Sequence, residues 1–160
     1  LVMPIQKFLA AFVCAFIAFG IAGETLAGPK DIIKYRKGVM KAVSGHMKGL
    51  TAIVNKKVDR RKDLKAHARS MHELAVMSAT LFPQGTGPEA GKTRALKAIW
   101  KDKAKYDKIN DKWVAAAKAL FVAADANDHG AAEKAFKSLK KSCKDCHKPF
   151  RAKKKRKKKK

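Results

Sequence analysis

The chain has 160 residues, with 38 Lys and Arg against 13 Asp and Glu, and a formal charge of +25. That length is one domain's worth of chain, enough to bury a real core. An Ala- and Lys-rich composition with 5 Pro and few β-branched runs favours helices, and no segment alternates as a half-buried strand must, which excludes a sheet.

At the N-terminus, Lys7 precedes an apolar run from Phe8 to Gly23, and Thr25-Leu26-Ala27 supplies an A-x-A-like cleavage site. Residues 1–27 therefore read as a signal peptide cleaved near Ala27 and Gly28. The run of 16 residues is short for a membrane span, which needs about 20. Cys14 lies inside the run rather than at its end, so it leaves with the signal peptide and is no lipoprotein anchor. Export delivers the remainder, a domain over 28–152 and a basic tail over 153–160, to an oxidising compartment, here the periplasm.

The first helix begins near Asp31, after Gly28-Pro29, and ends around Asn55 to Lys57. Arg36, Met40, Val43, Met47, Leu50 and Val54 step alternately by four and three, the heptad stripe of a bundle helix. The second helix starts near Asp63 and turns Leu64, Met71, Leu74 and Leu81 inward. Gln84 to Gly91 is Gly- and Pro-rich loop, with Trp100 downstream, folded back over the bundle. A third helix over about 103–126 carries Ile109, Trp113, Ala116 and Leu120 inward, and Asn127-Asp128-His129-Gly130 breaks it. The last helix, over about 131–148, aligns Phe136, Leu139, Cys143 and Cys146, and Pro149 should end or kink it. The fold class is all-α: an antiparallel up-down-up-down four-helix bundle.

The chemistry lies in Cys143-Lys144-Asp145-Cys146-His147. Cys-x-x-Cys-His is the attachment signature of c-type haem. On a helix, Cys146 lies about 60° and His147 about 40° from Cys143, so both thiols and the imidazole face one way. That suits a covalently held porphyrin: two sulfurs for two vinyl groups, and one ring nitrogen for the iron. Half of a zinc site or a thioredoxin-like dithiol are the rival readings. No second Cys pair completes the former, and the latter wants a strand-helix context that is lacking. One haem c per chain is the expected cofactor.

In an up-down bundle the first and last helices run antiparallel, so His147 lies beside the start of the first helix. Met40 stands about 13 Å along that helix and Met47 roughly another 10 Å on. Met40 is therefore the candidate for the opposite axial position, with Met47 as core filling. His46 lies about 120° off the inner stripe, facing solvent or a neighbouring helix. His67, His72 and His129 read as surface or partly buried histidines, although His67 and Met71 could line the haem pocket from the second helix.

Three blocks of residues carry a family resemblance: Lys34-Tyr35-Arg36-Lys37-Gly38-Val39-Met40; Phe82-Pro83 with Ala98-Ile99-Trp100-Lys101-Asp102; and Cys143 through Arg151, including the Phe150-Arg151 pair. The chain resembles the class II c-type cytochromes, the cytochrome c-prime family and its low-spin relatives, over all but the signal segment and the lysine tail. The C-terminal position of the haem motif is itself discriminating, because ordinary small cytochromes c carry it near the N-terminus.

The resemblance implies thioether attachment at Cys143 and Cys146, with His147 as proximal ligand. It places Arg36 at the haem edge, where a guanidinium can pair with a propionate, and Arg151 beside the proximal face. Position 40 separates the subfamilies. Low-spin members use a Met there as sixth ligand, five-coordinate members cover an open iron face with an apolar residue, and some of these carry an unligated Met. The expectation is a low-spin, six-coordinate member.

The functional reading is an exported electron-transfer haem protein with His147 and Met40 as axial ligands, the alternative being a five-coordinate haem that binds small gases such as nitric oxide. No nucleophile-base spacing or acid pair marks an enzyme. The run from Lys153 to Lys160 has no apolar positions and reads as a disordered poly-basic tail, serving either to solubilise the chain or to dock it electrostatically to an acidic face of a redox partner or to anionic lipid. Export argues against nucleic acid as a partner. Relatives form antiparallel dimers through their first two helices, which the positive charge here would oppose.

Overall fold

The structure is a computed structural model and describes residues 27–153. The expected signal peptide over 1–27 and basic tail over 153–160 thus lie, but for Ala27 and Lys153, outside the described residues. Four long helices make the bundle: α1 (Pro29–Val54), α2 (Leu64–Met77), α4 (Lys103–Asp125) and α5 (His129–Phe150). A short helix, α3 (Ala98–Lys101), precedes α4, and 3-10 turns at Arg61–Asp63 and Ser78–Thr80 flank α2. Among the described residues no strand forms, and no helix is long and apolar enough to cross a membrane.

Local chemistry sets the helix ends. Pro29 opens α1 where an amide hydrogen would have no helical partner, and Asp31 in the first turn meets the positive end of the helix dipole. The α1 and α4 helices end alike. Lys56 and Asn127 take left-handed φ values of 54° and 55°, and the next amides reach back, Lys57 N donating to Ala52 O at 2.8 Å and Asp128 N to Ala123 O at 2.9 Å. Asp128 then caps α5 by accepting from the Ala131 amide at 2.9 Å.

One expected boundary is corrected. The α5 helix does not end at Lys148; Pro149 sits inside its last turn, and the helix runs to Phe150. Pro149 withholds a single amide there, and the chain beyond is held by bonds outside the helix. Leu96 N donates to Phe150 O at 2.9 Å and Ala152 N to Arg94 O at 2.8 Å, bridging Ala95 and Arg151.

The main core contains Leu50 of α1, Met71 of α2, Leu120 of α4 and Leu139 of α5, all fully buried. Small residues such as Ala68, Ala75 and Ala117 let the helices approach closely. The buried stripe of α1 keeps the seven-residue repeat but steps three then four from Arg36, not four then three. Val39 and Ile53 are buried, while Met40, Met47 and Val54 are only partly so. A second, aromatic core near the C-terminal end of α5 joins Ile99, Tyr106 and Phe150, with Phe82, Trp100 and Cys146 packed on it. Trp100 folds back as expected, its indole nitrogen donating to Phe82 O at 3.1 Å and Pro83 O at 2.9 Å. The α4 and α5 helices pack most closely; α1 and α5, which carry Met40 and the Cys-x-x-Cys-His run, are the most loosely packed neighbours around the bundle.

Candidate cofactor site

The last turns of α5 carry Cys143, Cys146 and His147. Both thiols are free and half-buried, and Cys146 packs against the aromatic core. Burial pushes both thiols up, Cys146 to about 11 with a further push from Cys143. They therefore stay protonated at neutral pH and are slow to oxidise to a disulfide. His147 is exposed; partial desolvation and then the Arg94 cation hold its imidazole below the ordinary value, which keeps a ring nitrogen free to donate to a metal. Arg151, which the resemblance places beside the proximal face, lies close to His147. Its Nη1 lies 3.4 Å from both ring nitrogens, a close approach rather than a directed hydrogen bond.

Arg36 is buried on α1, and all four terminal N–H groups are engaged. Nη1 donates to Leu81 O at 3.2 Å and Thr86 Oγ1 at 2.9 Å; Nη2 donates to Thr86 O at 2.8 Å and Thr93 Oγ1 at 3.3 Å. Its guanidinium also lies over Phe82, 4.6 Å from the ring centroid. None of the four salt bridges among the described residues involves Arg36. Burial lowers its pKa, with Tyr106 acting against the shift. Arg36 thus clamps the loop between α2 and α3, and only its Nε–H is left for an anion such as a propionate.

Met40 is half-buried on α1 and packs on the main core, as does Met47. Met71 is core. His46 faces a neighbouring helix: its Nδ1 lies 3.0 Å from Nδ1 of His67 on α2. Sequence reasoning missed Tyr106, buried beside Cys146 with its phenol strongly raised by burial, because Lys-rich flanks hide its periodicity. It also missed Thr86, which closes the Arg36 clamp. On α4, the buried Trp113 Nε1 has no partner among the described residues, leaving a donor for a group beyond the polypeptide.

Two free thiols and a neutral imidazole at the end of one helix, an orphaned indole donor on the helix packed against it, and a loosely packed neighbour opposite fit a flat, covalently attached porphyrin. Fold and donor set define a class: a four-helix-bundle protein with a C-terminal c-type haem site. Residues 31–151 match the family model described as Cytochrome C′, and the chain belongs to the cytochrome c′ family. It is 37% identical over 127 residues to cytochrome c′ of Pararhodospirillum photometricum, covering 78% of this chain and 99% of the relative. Cytochrome c′ from Rubrivivax gelatinosus superposes with a TM-score of 0.75 at 26% identity, covering 79% of this chain and 99% of that one. A nitric oxide complex of a mutant cytochrome c prime from Alcaligenes xylosoxidans does so at 0.73 and 28%, covering 81% and 99%. The cofactor is accordingly one covalently attached c-type haem per chain, and members of the family are haem proteins rather than classical enzymes.

Proposed function

We propose that Cys143 and Cys146 hold the haem through thioether bonds, that His147 binds iron on one face, and that the other face, covered by Met40 from α1, takes up small gases such as nitric oxide. The bound haem supplies a redox-active iron with an axial position for a diatomic ligand. The chain supplies the neutral imidazole, the stiff bundle and a movable thioether cover.

The expected low-spin, six-coordinate subtype draws no support from the relatives, whereas the gas-binding alternative is better matched. The observation that carries this reading is the match over residues 31–151 together with a nitric oxide complex among the similar structures. In the rival reading the Met40 sulfur ligates iron, raises the potential and makes the protein an electron carrier; the packing of Met40 on the main core does not itself favour it.

Visible spectra of the purified holoprotein, before and after carbon monoxide, separate the two. A broad high-spin spectrum that shifts with the gas supports the open face. A sharp low-spin reduced spectrum indifferent to the gas, with a far-red iron–sulfur band when oxidised, supports the second. Absence of a c-type haem spectrum removes both.

Export to the periplasm and docking through the Lys153–Lys160 run to an acidic redox partner or anionic lipid belong to the same proposal. Removing the tail should then slow partner reduction most at low salt, and rates unchanged across an ionic-strength series would remove the docking role.

A further inference from the structure

The crossing of α1 and α2 brings two histidines together away from the Cys-x-x-Cys-His run. His46 Nδ1 and His67 Nδ1 lie 3.0 Å apart, the rings inclined at 73° with centroids 5.2 Å apart. Both side chains are half-buried. The α1 backbone accommodates the arrangement at Gly49: a Cβ there would lie 2.6 Å from Cε1 and 2.8 Å from Nε2 of His67. The His67 ring therefore occupies space that a side chain at position 49 would fill.

From this geometry we infer that His46 and His67 form a copper(II) site, with Nδ1 of each ring as a ligand and water completing the coordination. With metal–nitrogen bonds of about 2.0–2.1 Å, a 3.0 Å separation subtends an angle of about 95° at the metal. That is close to adjacent corners of a tetragonal site and well short of the tetrahedral angle that zinc prefers. Two imidazoles and water in tetragonal geometry suit copper(II) or nickel(II), and copper(II) binds more tightly. The strongly basic chain repels every divalent cation alike, which lowers all the affinities and leaves their order to the ligands and geometry.

The proton balance is simple. In the neutral pair one Nδ1–H donates to the other Nδ1; on metal binding the donor ring shifts its proton to Nε2, and no net proton is released.

The test uses ferric holoprotein titrated with copper(II) in a weakly coordinating buffer, read by calorimetry and by electron paramagnetic resonance. The expected result is one copper per chain with hyperfine structure from two nitrogens. Affinity should fall at least about tenfold in His46→Gln and in His67→Gln, and hold in His72→Gln and His129→Gln. Gly49→Ala keeps both imidazoles but displaces the His67 ring, and it should weaken binding as well. This variant preserves the test if either glutamine variant fails to fold, which the haem spectrum and helix content report. Copper binding that is absent, or unchanged in His46→Gln, His67→Gln and Gly49→Ala, overturns the assignment.

Discussion

The Arg36 guanidinium carbon lies 4.6 Å from the Phe82 ring centroid, stacked there while its N–H fork holds Leu81, Thr86 and Thr93. A helix residue thereby fixes a loop 45 to 57 positions further along the chain. Lysine cannot reproduce a planar fork with this many donors, so Arg36→Lys leaves buried carbonyl and hydroxyl oxygens unpaired. The expected loss is about 2–4 kcal/mol in urea unfolding of the holoprotein. Thr86→Val removes a hydroxyl that accepts from Arg36 and donates to Pro83 O at 2.8 Å. A double-mutant cycle should give a coupling of roughly 1 kcal/mol or more. Additive effects would mean the clamp does not exist in solution.

Three positions on α1 separate backbone propensity from packing. Nothing lies within 4 Å of a Cβ built at Gly38 or Gly45, so alanine at either should raise stability by about 0.5–1 kcal/mol. Gly49→Ala gains the same propensity but drives into the His67 ring, and it should be neutral or destabilising. At the helix end, Lys56 holds a left-handed φ of 54°, a strain of roughly 1 kcal/mol that Lys56→Gly should relieve. Thermal unfolding of the four variants in one buffer ranks them. Equal stabilisation by all three alanines would refute the placement of His67.

The histidine pair also gives stability a dependence on pH. Burial first, and then the His67 ring, hold His46 below its ordinary 6.5. The unfolded chain therefore binds more protons than the folded one in this range, and stability rises with pH. The contribution is fully present above about 6.5 and is lost as the pH falls through the lower folded-state value. Urea midpoints of the native chain should drop on acidification below that point, and the difference from His46→Gln should shrink over the same interval. A difference constant from pH 8 to pH 5 would show that His46 titrates as it does in the unfolded chain.

The helices were legible because their apolar spacing is local, and so were the breaks at Gln84 to Gly91 and at Asn127. The α1 stripe was legible only approximately. The four-then-three count from Arg36 picks Met40 and Val54, whereas the buried residues keep the same seven-residue repeat but step three then four, through Val39 and Ile53. Pro149 misled because the rule for helix interiors weakens in a last turn that outside bonds secure. Cys143, Cys146 and His147 were readable from a contiguous motif. The Arg36–Thr86 clamp and the His46–His67 pair were not, since each joins residues whose spacing in the chain, 50 and 21 positions, has no local signature.

Met40 offers a last discrimination. As a cover over an open iron face, its half-buried side chain must swing aside before a gas can bind, and the apparent affinity is reduced by the fraction of time the face is uncovered. If the uncovered state is populated at about 10% or less, as minor conformers commonly are, Met40→Ala should tighten carbon monoxide binding by roughly tenfold or more and leave the high-spin spectrum in place. Stopped-flow mixing of the ferrous protein with the gas measures this directly. As a ligand, the same side chain would keep the iron low-spin, and Met40→Ala would convert the spectrum to high-spin while creating gas binding that the native protein lacks. Spectrum and rate move together in the second case and separately in the first, so one variant decides whether position 40 closes the iron or only shields it.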